Sequence, residues 1–265
     1  MNKIRVSQSL IKDWWEYKDE KQCGLVFRAV WIDRTLETPA SDVMLMGNYF
    51  EYLCTGATMR DGKVPEPVLT KAGKPVAKQQ YLMDQVQLWK TAVKHYGIQE
   101  IRVNEKLEVD CGDYILVVRP DIICKFPGYG ETILDIKSTG LLNSMSYNEY
   151  SWNKEYLASK HKLTVQAKMT KLVCQGAMGH DDIPFLWFIF SNTGDEDAAF
   201  YEAVVDSSQI AKLVEVIEEA VSLIEIEIEL GFTPHPDYSR CKDCPLNEGC
   251  TAKDIVPDII RIHTT

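Results

Sequence analysis

The hydrophobic period of this sequence changes near residue 100, and that change constrains the fold more than any other feature. Upstream, apolar residues recur at helical spacing, whereas downstream they form short runs bounded by Gly, Pro and Asp, which is typical of strands. Helical spacing of apolar residues then returns in two later segments, 162–178 and 206–230. This order predicts an α/β or α+β fold with a mixed β-sheet core flanked by helices. The predicted helices cover 7–20, 41–59, 76–96, 162–178 and 206–230, and the predicted strands cover 101–109, 114–124, 132–138, 184–190 and 198–205.

Two local features add to that outline. Gly47 interrupts the second predicted helix, which indicates either close packing or a nearby ligand. The last helix ends in "LIEIEIEL", which alternates with period two, so a strand is the alternative there. We expect a single domain with a mostly helical part at 1–100, a core at 101–230 and a cysteine-containing tail at 231–265.

Composition is typical of a cytoplasmic globular protein. The 265 residues are 45% apolar and 26% charged. No run approaches the roughly 18 apolar residues that span a membrane, and the N-terminal "MNKIRVSQSL" lacks the apolar run of a secretion signal. The formal charge of −10 disfavours nucleic acid at first sight. However, residues 195–230 alone hold 11 acids and one lysine, so the rest of the chain is balanced in charge.

Two stretches within that balanced remainder are basic. Residues 60–80 hold five cations against two acids, and residues 154–171 hold five lysines against one acid. Such stretches can follow the phosphates of DNA, and aromatic side chains such as Trp152 and Tyr156 can stack on bases. Solvated surface charge is the alternative for any single lysine. The candidate DNA-binding lysines are Lys154, Lys160, Lys162 and Lys168.

Asp121, Asp135 and Lys137 lie on two neighbouring predicted strands joined by a tight turn. Side chains two residues apart on a strand share a face, so Asp135 and Lys137 point the same way. Pro120 cannot donate to a ladder, which predicts a bulge or an edge that re-aims Asp121 toward them. Neighbouring carboxylates favour Mg²⁺, which lowers the pKa of a bound water, and a lysine beside it offsets an anionic transition state. The group therefore suits phosphodiester hydrolysis, although Asp-x-Lys is also a common surface pair on strands.

Three of the eight cysteines are close together in a loop that also contains Pro and Gly. Cys241, Cys244 and Cys250 have the spacing Cys-x₂-Cys-x₅-Cys, which lets three thiolates converge on one metal. A fourth ligand is needed, and the residues alone leave both His235 and Cys23 open. Disulfides are disfavoured in a reducing cytosol, and the remaining cysteines are typical of buried thiols.

The acids and the lysine resemble the PD-(D/E)XK nuclease superfamily. "RPDIIC" precedes "LDIKS" by about 14 residues, so that Asp121 matches the first acid of the pattern, Asp135 the second and Lys137 the lysine. "GNYFEYL" resembles the helical Gly-x₃-His/Glu motif of the RecB-like branch, with Glu51 at the place where many relatives carry His.

A further helical motif of that branch, Gln-x₃-Tyr, is matched only in part by "TVQAKMTKLVC". Gln166 matches the glutamine, but Thr170 stands where the tyrosine would be, so no role passes to it. The resemblance implies a restriction-endonuclease-like fold. It also implies that Lys137 positions a water or stabilises charge, and that Gln166 contacts substrate or water. The implied ligands of Mg²⁺ or Mn²⁺ are Glu51, Asp121, Asp135 and the carbonyl of Ile136.

The cysteine layout resembles the iron–sulfur members of the same branch, which include AddB-type subunits and CRISPR-adaptation exonucleases. They carry one early cysteine and three more after the nuclease core, as Cys-x₂-Cys-Pro-x₄₋₅-Cys, and this chain has Cys23 and then Cys241, Cys244, Pro245 and Cys250. The resemblance implies a structural [4Fe–4S] cluster that ties the N-terminal segment to the tail. Zinc in the same ligands is the main alternative.

The function implied is a Mg²⁺- or Mn²⁺-dependent DNA nuclease, an exonuclease of recombination, repair or processing. Its expected partner is DNA, single-stranded or with a free end, and not a membrane. A homo-oligomer or a recombination partner protein is left open, and a compact nuclease would suit a phage. The alternatives are a non-catalytic nucleic-acid-binding accessory protein with a structural zinc or iron–sulfur site, and a zinc-bound interaction module in which Asp-x-Lys is only a surface pair.

Overall fold

A computed structural model describes residues 3–37, 40–59, 61–140, 142, 161–193, 197–235, 241–250 and 252. The chain forms two compact units. The larger comprises Pro39–Glu215, and the smaller combines Ile4–Thr38 with Val216–Thr265. The candidate carboxylate and lysine residues all belong to the larger unit, and Cys23, Cys241, Cys244 and Cys250 all belong to the smaller one.

The helices begin and end at residues that satisfy their terminal backbone groups. The hydroxyl of Ser7 accepts from the N–H of Leu10 at the start of the first helix, at 3.2 Å. Gly56 ends the third helix in the left-handed region, with φ +76°. The α-helices are α1 Gln8–Lys18, α2 Gly24–Phe27, α3 Asp42–Thr55, α4 Leu82–Tyr96, α5 His161–Met178 and α6 Ser207–Leu230, with a π-helical turn at Arg28–Ile32 and 3₁₀ turns at Ala77–Tyr81 and Asn247–Gly249.

The predicted helices are confirmed, and "LIEIEIEL" belongs to α6. The strand alternative for that segment was wrong, because Ile217, Val221 and Ile224 are buried at helical spacing. No helix in the described ranges is long and apolar enough to cross a membrane.

Five strands form a central mixed sheet in the order β2-β5-β6-β7-β8, in which β6 and β7 are parallel and the other pairs are antiparallel. The strands β3 and β4 form an antiparallel hairpin. The strands are β1 Ile4–Val6, β2 Gln99–Val103, β3 Leu107–Asp110, β4 Tyr114–Val118, β5 Ile122–Phe126, β6 Gly130–Thr139, β7 Phe185–Ser191 and β8 Ala198–Glu202.

Two predicted strands are each divided in the structure. The segment 101–109 contains parts of β2 and β3, and the segment 114–124 contains β4 and the start of β5. The single-strand predictions were wrong because periodicity does not reveal which sheet a strand joins. The chain passes from the β3–β4 hairpin to the central sheet at Arg119–Asp121, where Pro120 has no N–H to donate to a ladder.

Helices α3 and α4 cover one face of the central sheet. The side chain of Phe50 packs edge-on against Phe190, with ring centroids 5.2 Å apart, and Trp89 packs against Phe188. Ile136 belongs to this core. Because side chains alternate along a strand, its neighbours Asp135 and Lys137 point away from this core.

The smaller unit has an aromatic core that joins its N-terminal and C-terminal parts. The ring of Tyr17 packs against those of Phe27, Phe232 and His235. The Tyr17 hydroxyl donates to Glu227 and accepts from the backbone N–H of Thr233, both at 3.1 Å.

Gly24 lies directly against the C-terminal part of that unit. Its N–H donates to the carbonyl of Thr233 at 3.2 Å. A Cβ at position 24 would lie 2.3 Å from the same oxygen, which leaves no room for any side chain.

Candidate active site and cysteine cavity

Asp135 and Lys137 form an ion pair on one face of β6. The ammonium of Lys137 lies 2.6 Å from Oδ2 of Asp135, and the carboxylate is almost fully buried, with a relative exposure of 3% for the residue. On its other oxygen, Oδ1, Asp135 accepts from the side-chain amide of Gln166 on α5, also at 2.6 Å. Asp135 and Lys137 therefore lie on the same face of β6, as predicted, and Gln166 contacts Asp135 directly.

Asp121 precedes β5 and turns its side chain onto the neighbouring strand. Its Oδ2 accepts from the backbone N–H of Ile136 at 3.1 Å, so a carboxylate takes the position of a ladder acceptor. Pro120 and the change of sheet at this point free Asp121 from regular strand geometry. The two acids and the lysine thus lie close together at the end of the β5–β6 hairpin opposite its turn.

Glu51, on α3, is a third acid whose charge interacts with those of Asp121, Asp135 and Lys137. Burial raises the pKa of Glu51 to about 7, with a further contribution from the negative charge of Asp135. Its Oε1 atom is buried and has no hydrogen-bond partner within the described part of the chain. A buried carboxylate oxygen without a donor is costly, so this atom is suited to a cationic ligand.

The same group shifts the titration of Asp121 and Lys137. Burial raises the pKa of Asp121 well above its ordinary value, and the charges of Asp135 and Glu51 raise it further. Burial alone would lower the pKa of Lys137, but the nearby Asp135 and Asp121 carboxylates outweigh it, and the pKa is raised. Three acids therefore surround one lysine, and the site favours additional positive charge.

Several of these oxygens are already engaged by protein donors. Asp135 is held by Lys137 and Gln166, and one oxygen of Asp121 is held by Ile136. Across the described residues, no three His, Cys, Asp or Glu side chains converge closely enough to form a metal site. The arrangement is thus a charged group with oxygen donors of the type that Mg²⁺ prefers, rather than a closed coordination sphere.

Gly47 lies one helical turn before Glu51 on α3 and is exposed. No atom lies within 4 Å of the position that a Cβ would occupy there. Of the two interpretations of this glycine, close packing was therefore wrong, while a nearby ligand stays a prediction.

One residue in the site was missed by sequence reasoning. Asn104, directly after β2, donates from its backbone N–H to the carbonyl of Asp121 at 3.1 Å, and its side-chain amide donates to the carbonyl of Thr58 at 3.5 Å. The available signal was an asparagine that interrupts a strand-like run, since asparagine favours turns.

The candidate DNA-binding residues are only partly described. Lys154 and Lys160 lie outside the described residues, as do Trp152 and Tyr156, and Lys162 is described by its backbone alone. Lys168 is partly exposed on α5.

Other cations of the two basic stretches have partners. Lys171, at the end of the second stretch, is buried and lies 3.0 Å from Asp182. Lys63, in the first stretch, pairs with Asp61 at 2.6 Å. Counting charges along the sequence therefore overstates the number of free cations in both stretches.

The four cysteines of the predicted cluster line one cavity in the smaller unit. The cavity has a volume of about 240 Å³, and His235 contributes to the same lining. Cys23 precedes α2, and the other three lie in the C-terminal tail around the 3₁₀ turn Asn247–Gly249. The structure brings both candidate fourth ligands, Cys23 and His235, to the cavity.

Comparison with known proteins shows the fold of the chain. No protein-family model and no curated protein matches the sequence. The chain is similar to a crystal structure called "Putative exonuclease" from Eubacterium rectale, with a TM-score of 0.63 and 15% identity, over 98% of this chain and 92% of that one. The mixed α/β, restriction-endonuclease-like core predicted from the sequence is confirmed.

Two other solved structures share less of the fold. SSO0001 has a TM-score of 0.38 and 12% identity over 96% of this chain and 88% of that one. Rai1 from Scheffersomyces stipitis has a TM-score of 0.31 and 11% identity over 89% of this chain and 63% of that one. These TM-scores are too low to carry any argument.

Proposed function

We propose that this protein is a divalent-metal-dependent deoxyribonuclease of the PD-(D/E)XK type, and that it acts as an exonuclease. One observation carries the proposal. Glu51 of α3, distant in the sequence, interacts electrostatically with the group of Asp121, Asp135 and Lys137 in a restriction-endonuclease-like core. The name of the Eubacterium rectale protein agrees with the exonuclease assignment.

Carboxylate and carbonyl oxygens are the type of donor that Mg²⁺ and Mn²⁺ prefer. Glu51 presents a buried oxygen without a hydrogen-bond donor among the described residues. The resemblance implies Asp121, Asp135 and the carbonyl of Ile136 as the further ligands. The raised pKa values of Glu51 and Asp121 indicate acids that need a cation in order to ionise together. Such an ion would supply charge neutralisation on the phosphate and a lower pKa for a bound water.

The protein's own residues then have distinct tasks. Lys137 keeps its positive charge because the two aspartates hold its pKa high, so it can orient a water and offset negative charge on the phosphate. Gln166 fixes the orientation of Asp135 through its 2.6 Å hydrogen bond. The N–H of Ile136 does the same for Asp121 at 3.1 Å. The mostly buried site limits water, which strengthens each of these interactions.

For the smaller unit, we propose a [4Fe–4S] cluster held by Cys23, Cys241, Cys244 and Cys250. The support is a cavity of about 240 Å³ with all four cysteines in its lining. Zinc in the same ligands is the alternative, since thiolates bind both. The role of the cluster would be structural, because the four cysteines come from the two ends of the chain and lie in the smaller unit, which does not contain the carboxylate group.

The proposed substrate is DNA with a free end or single-stranded DNA. Support comes from the site chemistry and from Lys168, which is partly exposed two residues after Gln166 on α5. Because Lys63 and Lys171 are already paired with acids, we expect phosphate contacts from the other lysines of the two stretches.

The test uses the full chain, purified in parallel with and without oxygen. End-labelled single- and double-stranded DNA is incubated with Mg²⁺ or Mn²⁺, and the visible spectrum, iron, sulfide and zinc are measured on the same samples. Cleavage that is lost in EDTA and in the Asp135→Asn variant supports the nuclease. DNA binding without cleavage would favour the accessory-protein alternative, and zinc without sulfide would favour the zinc site.

A further inference from the structure

A short β-hairpin, residues 68–76, lies between α3 and α4 in the larger unit. At its base the backbone N–H of Val76 donates to the carbonyl of Val68 at 3.1 Å. The buried side-chain amide of Gln79, in the orientation that satisfies both of its groups, donates to the same carbonyl at 2.8 Å and accepts from the N–H of Val68 at 2.7 Å. The base of the hairpin is therefore fixed to the 3₁₀ turn that precedes α4.

The tip of the hairpin is closed by its own backbone. The N–H of Thr70 donates to the carbonyl of Lys74 at 2.7 Å, and the N–H of Gly73 donates to the carbonyl of Thr70 at 2.9 Å. Gly73 has a φ of +72°, in the left-handed region that glycine adopts without steric cost. These contacts give the tip a defined turn although residues 69–75 are all exposed.

The hairpin contains two lysines and no acid. Lys71 and Lys74 are exposed, and neither forms an ion pair with any residue that the structure describes. By contrast, Lys63 on the preceding turn is paired with Asp61 at 2.6 Å. The hairpin thus presents two available cations in a protein whose net charge is −10, and this local positive charge favours contact with a polyanion.

The segment that leads into the hairpin borders the candidate active site. The carbonyl of Thr58 accepts from the side-chain amide of Asn104 at 3.5 Å, and the backbone N–H of Asn104 donates to the carbonyl of Asp121 at 3.1 Å. A turn follows directly, closed by a 2.8 Å hydrogen bond from the N–H of Met59 to the carbonyl of Lys63. The chain therefore runs from the edge of the carboxylate group through this turn into the hairpin.

We propose that the hairpin is a preformed contact for the DNA backbone and binds phosphates outside the bond that is cleaved. Lys71 and Lys74 supply the positive charge, and the closed turn holds their backbone in place before DNA binds, which lowers the entropy cost of binding. The inference rests on the proposed function, because it takes DNA as the substrate. The hairpin then contributes affinity for DNA, and the carboxylate group carries out the cleavage.

The test is the double variant Lys71→Ala/Lys74→Ala in the full chain. Binding is measured by the fluorescence anisotropy of labelled duplex DNA with Ca²⁺ in place of Mg²⁺, and cleavage is measured with Mg²⁺. We expect the affinity to fall by about fivefold or more at low salt. The plot of log K against log salt should become less steep by about 1.8, because each neutralised phosphate contributes about 0.9. The kcat at saturating DNA should stay within about twofold of the wild-type value, because the reacting residues are unchanged.

The matched control is Lys90→Ala/Lys94→Ala, which removes the same charge from two exposed lysines in the C-terminal half of α4. This control should bind DNA within about twofold of the wild type, because it changes only the overall charge. The variant Lys71→Arg/Lys74→Arg keeps both charges and should retain the affinity and the salt dependence of the wild type.

The length of the DNA gives a second readout. In a series of progressively shorter duplexes, the affinities of the wild type and of Lys71→Ala/Lys74→Ala should differ for long DNA. They should converge once the DNA is too short to reach both the active site and the hairpin. A difference that is the same at every length would overturn the placement of the contact outside the cleaved bond.

The outcomes distinguish this inference from the proposed function. If the wild type binds and cleaves DNA but Lys71→Ala/Lys74→Ala has the same affinity and salt dependence, only the role of the hairpin is overturned. An equal loss of affinity in the Lys90→Ala/Lys94→Ala control, or a fall in kcat with unchanged affinity, overturns it as well. If the wild type neither binds nor cleaves DNA, the proposed function and the role of the hairpin both fail.

Discussion

The carboxylate group and the cysteine cavity are supported in opposite ways. Asp135 and Lys137 lie on β6, which has paired strands on both sides. One oxygen of the Asp135 carboxylate pairs with Lys137, and the other accepts a hydrogen bond from Gln166. The cysteines lie before the short helix α2 and in an irregular tail, around a cavity of about 240 Å³. The first group is positioned by the sheet, whereas we expect the position of the second to depend on the proposed metal. Substitutions should therefore change chemistry in the first and stability in the second.

The largest effect is expected at Asp135. Asp135→Asn keeps the size of the side chain and removes its charge, so the site loses its central acid and Lys137 loses its ion pair at 2.6 Å. We expect cleavage to fall by about 10³-fold or more, with a folded protein by circular dichroism. Lys137→Ala should also abolish cleavage in folded protein.

Glu131→Gln is the control on the same strand. Glu131 lies four residues before Asp135 and interacts instead with Arg102 and His180. The cleavage activity of Glu131→Gln should match that of the wild type. Full activity in purified Asp135→Asn or Lys137→Ala would refute the assignment of the site.

The next effect concerns the cavity. Cys244→Ser removes one of the four proposed cluster ligands, and we expect loss of bound metal and a Tm lower by about 8 °C or more. Poorer solubility should accompany it. Cys111→Ser, at an exposed thiol outside the cavity, should leave metal content and Tm unchanged. An unchanged Tm and metal content in Cys244→Ser would contradict the cluster.

A smaller effect is expected at Gly24, which supports the cavity without binding metal. In Gly24→Ala the new methyl group would meet the Thr233 carbonyl at 2.3 Å and the Tyr17 ring at 2.7 Å. The strain should lower the free energy of unfolding by about 1–3 kcal/mol, seen as a lower denaturant midpoint. Gly47→Ala, where the added methyl group meets no atom within 4 Å, should not be destabilised. Equal denaturant midpoints for Gly24→Ala and Gly47→Ala would show that the close contact at Gly24 does not affect stability.

The smallest effect is a pH dependence of the metal-free protein. The pKa of Glu51 is about 7 in the folded state against an ordinary value of 4.5, so the folded state binds the proton more tightly. The stability associated with that proton is present below about pH 4.5 and is lost as the pH rises toward 7. In EDTA, Glu51→Gln should therefore gain about 1–2 kcal/mol relative to the wild type between pH 5 and pH 8. If the free energies of unfolding of the wild type and of Glu51→Gln changed with pH in the same way, this prediction would be contradicted.

The sequence predicted the local elements well because their signals are local. The helix start at Ser7 and the shared face of Asp135 and Lys137 each depend on a few neighbouring residues. The predicted helix over 41–59 ends earlier, at Thr55, because Gly56 adopts the left-handed conformation. The change of sheet at Pro120 was anticipated only as an irregularity, because the pairing partner of a strand is decided by distant residues.

The parts of the site that escaped prediction depend on tertiary contacts. Asn104 reads as an ordinary turn residue until the hydrogen bond from its backbone N–H to the carbonyl of Asp121 is known. Lys171 counts as a free cation in the sequence, yet it is buried against Asp182. Glu51 itself was identified only by resemblance, since nothing in its local sequence indicates that burial raises its pKa.

The parallel pairing of β6 and β7 bears on the order in which the site forms. The β5–β6 hairpin closes through a turn of a few residues, whereas β6 and β7 are separated by residues 140–184, including α5. Closing the longer loop costs more entropy, so we expect the parallel pair to form later. On that order, we expect Asp121, Asp135 and Lys137 to come together before Gln166 of α5 joins them. Asp121 and Asp135 would then repel each other before α5 packs and Gln166 donates its hydrogen bond to Asp135.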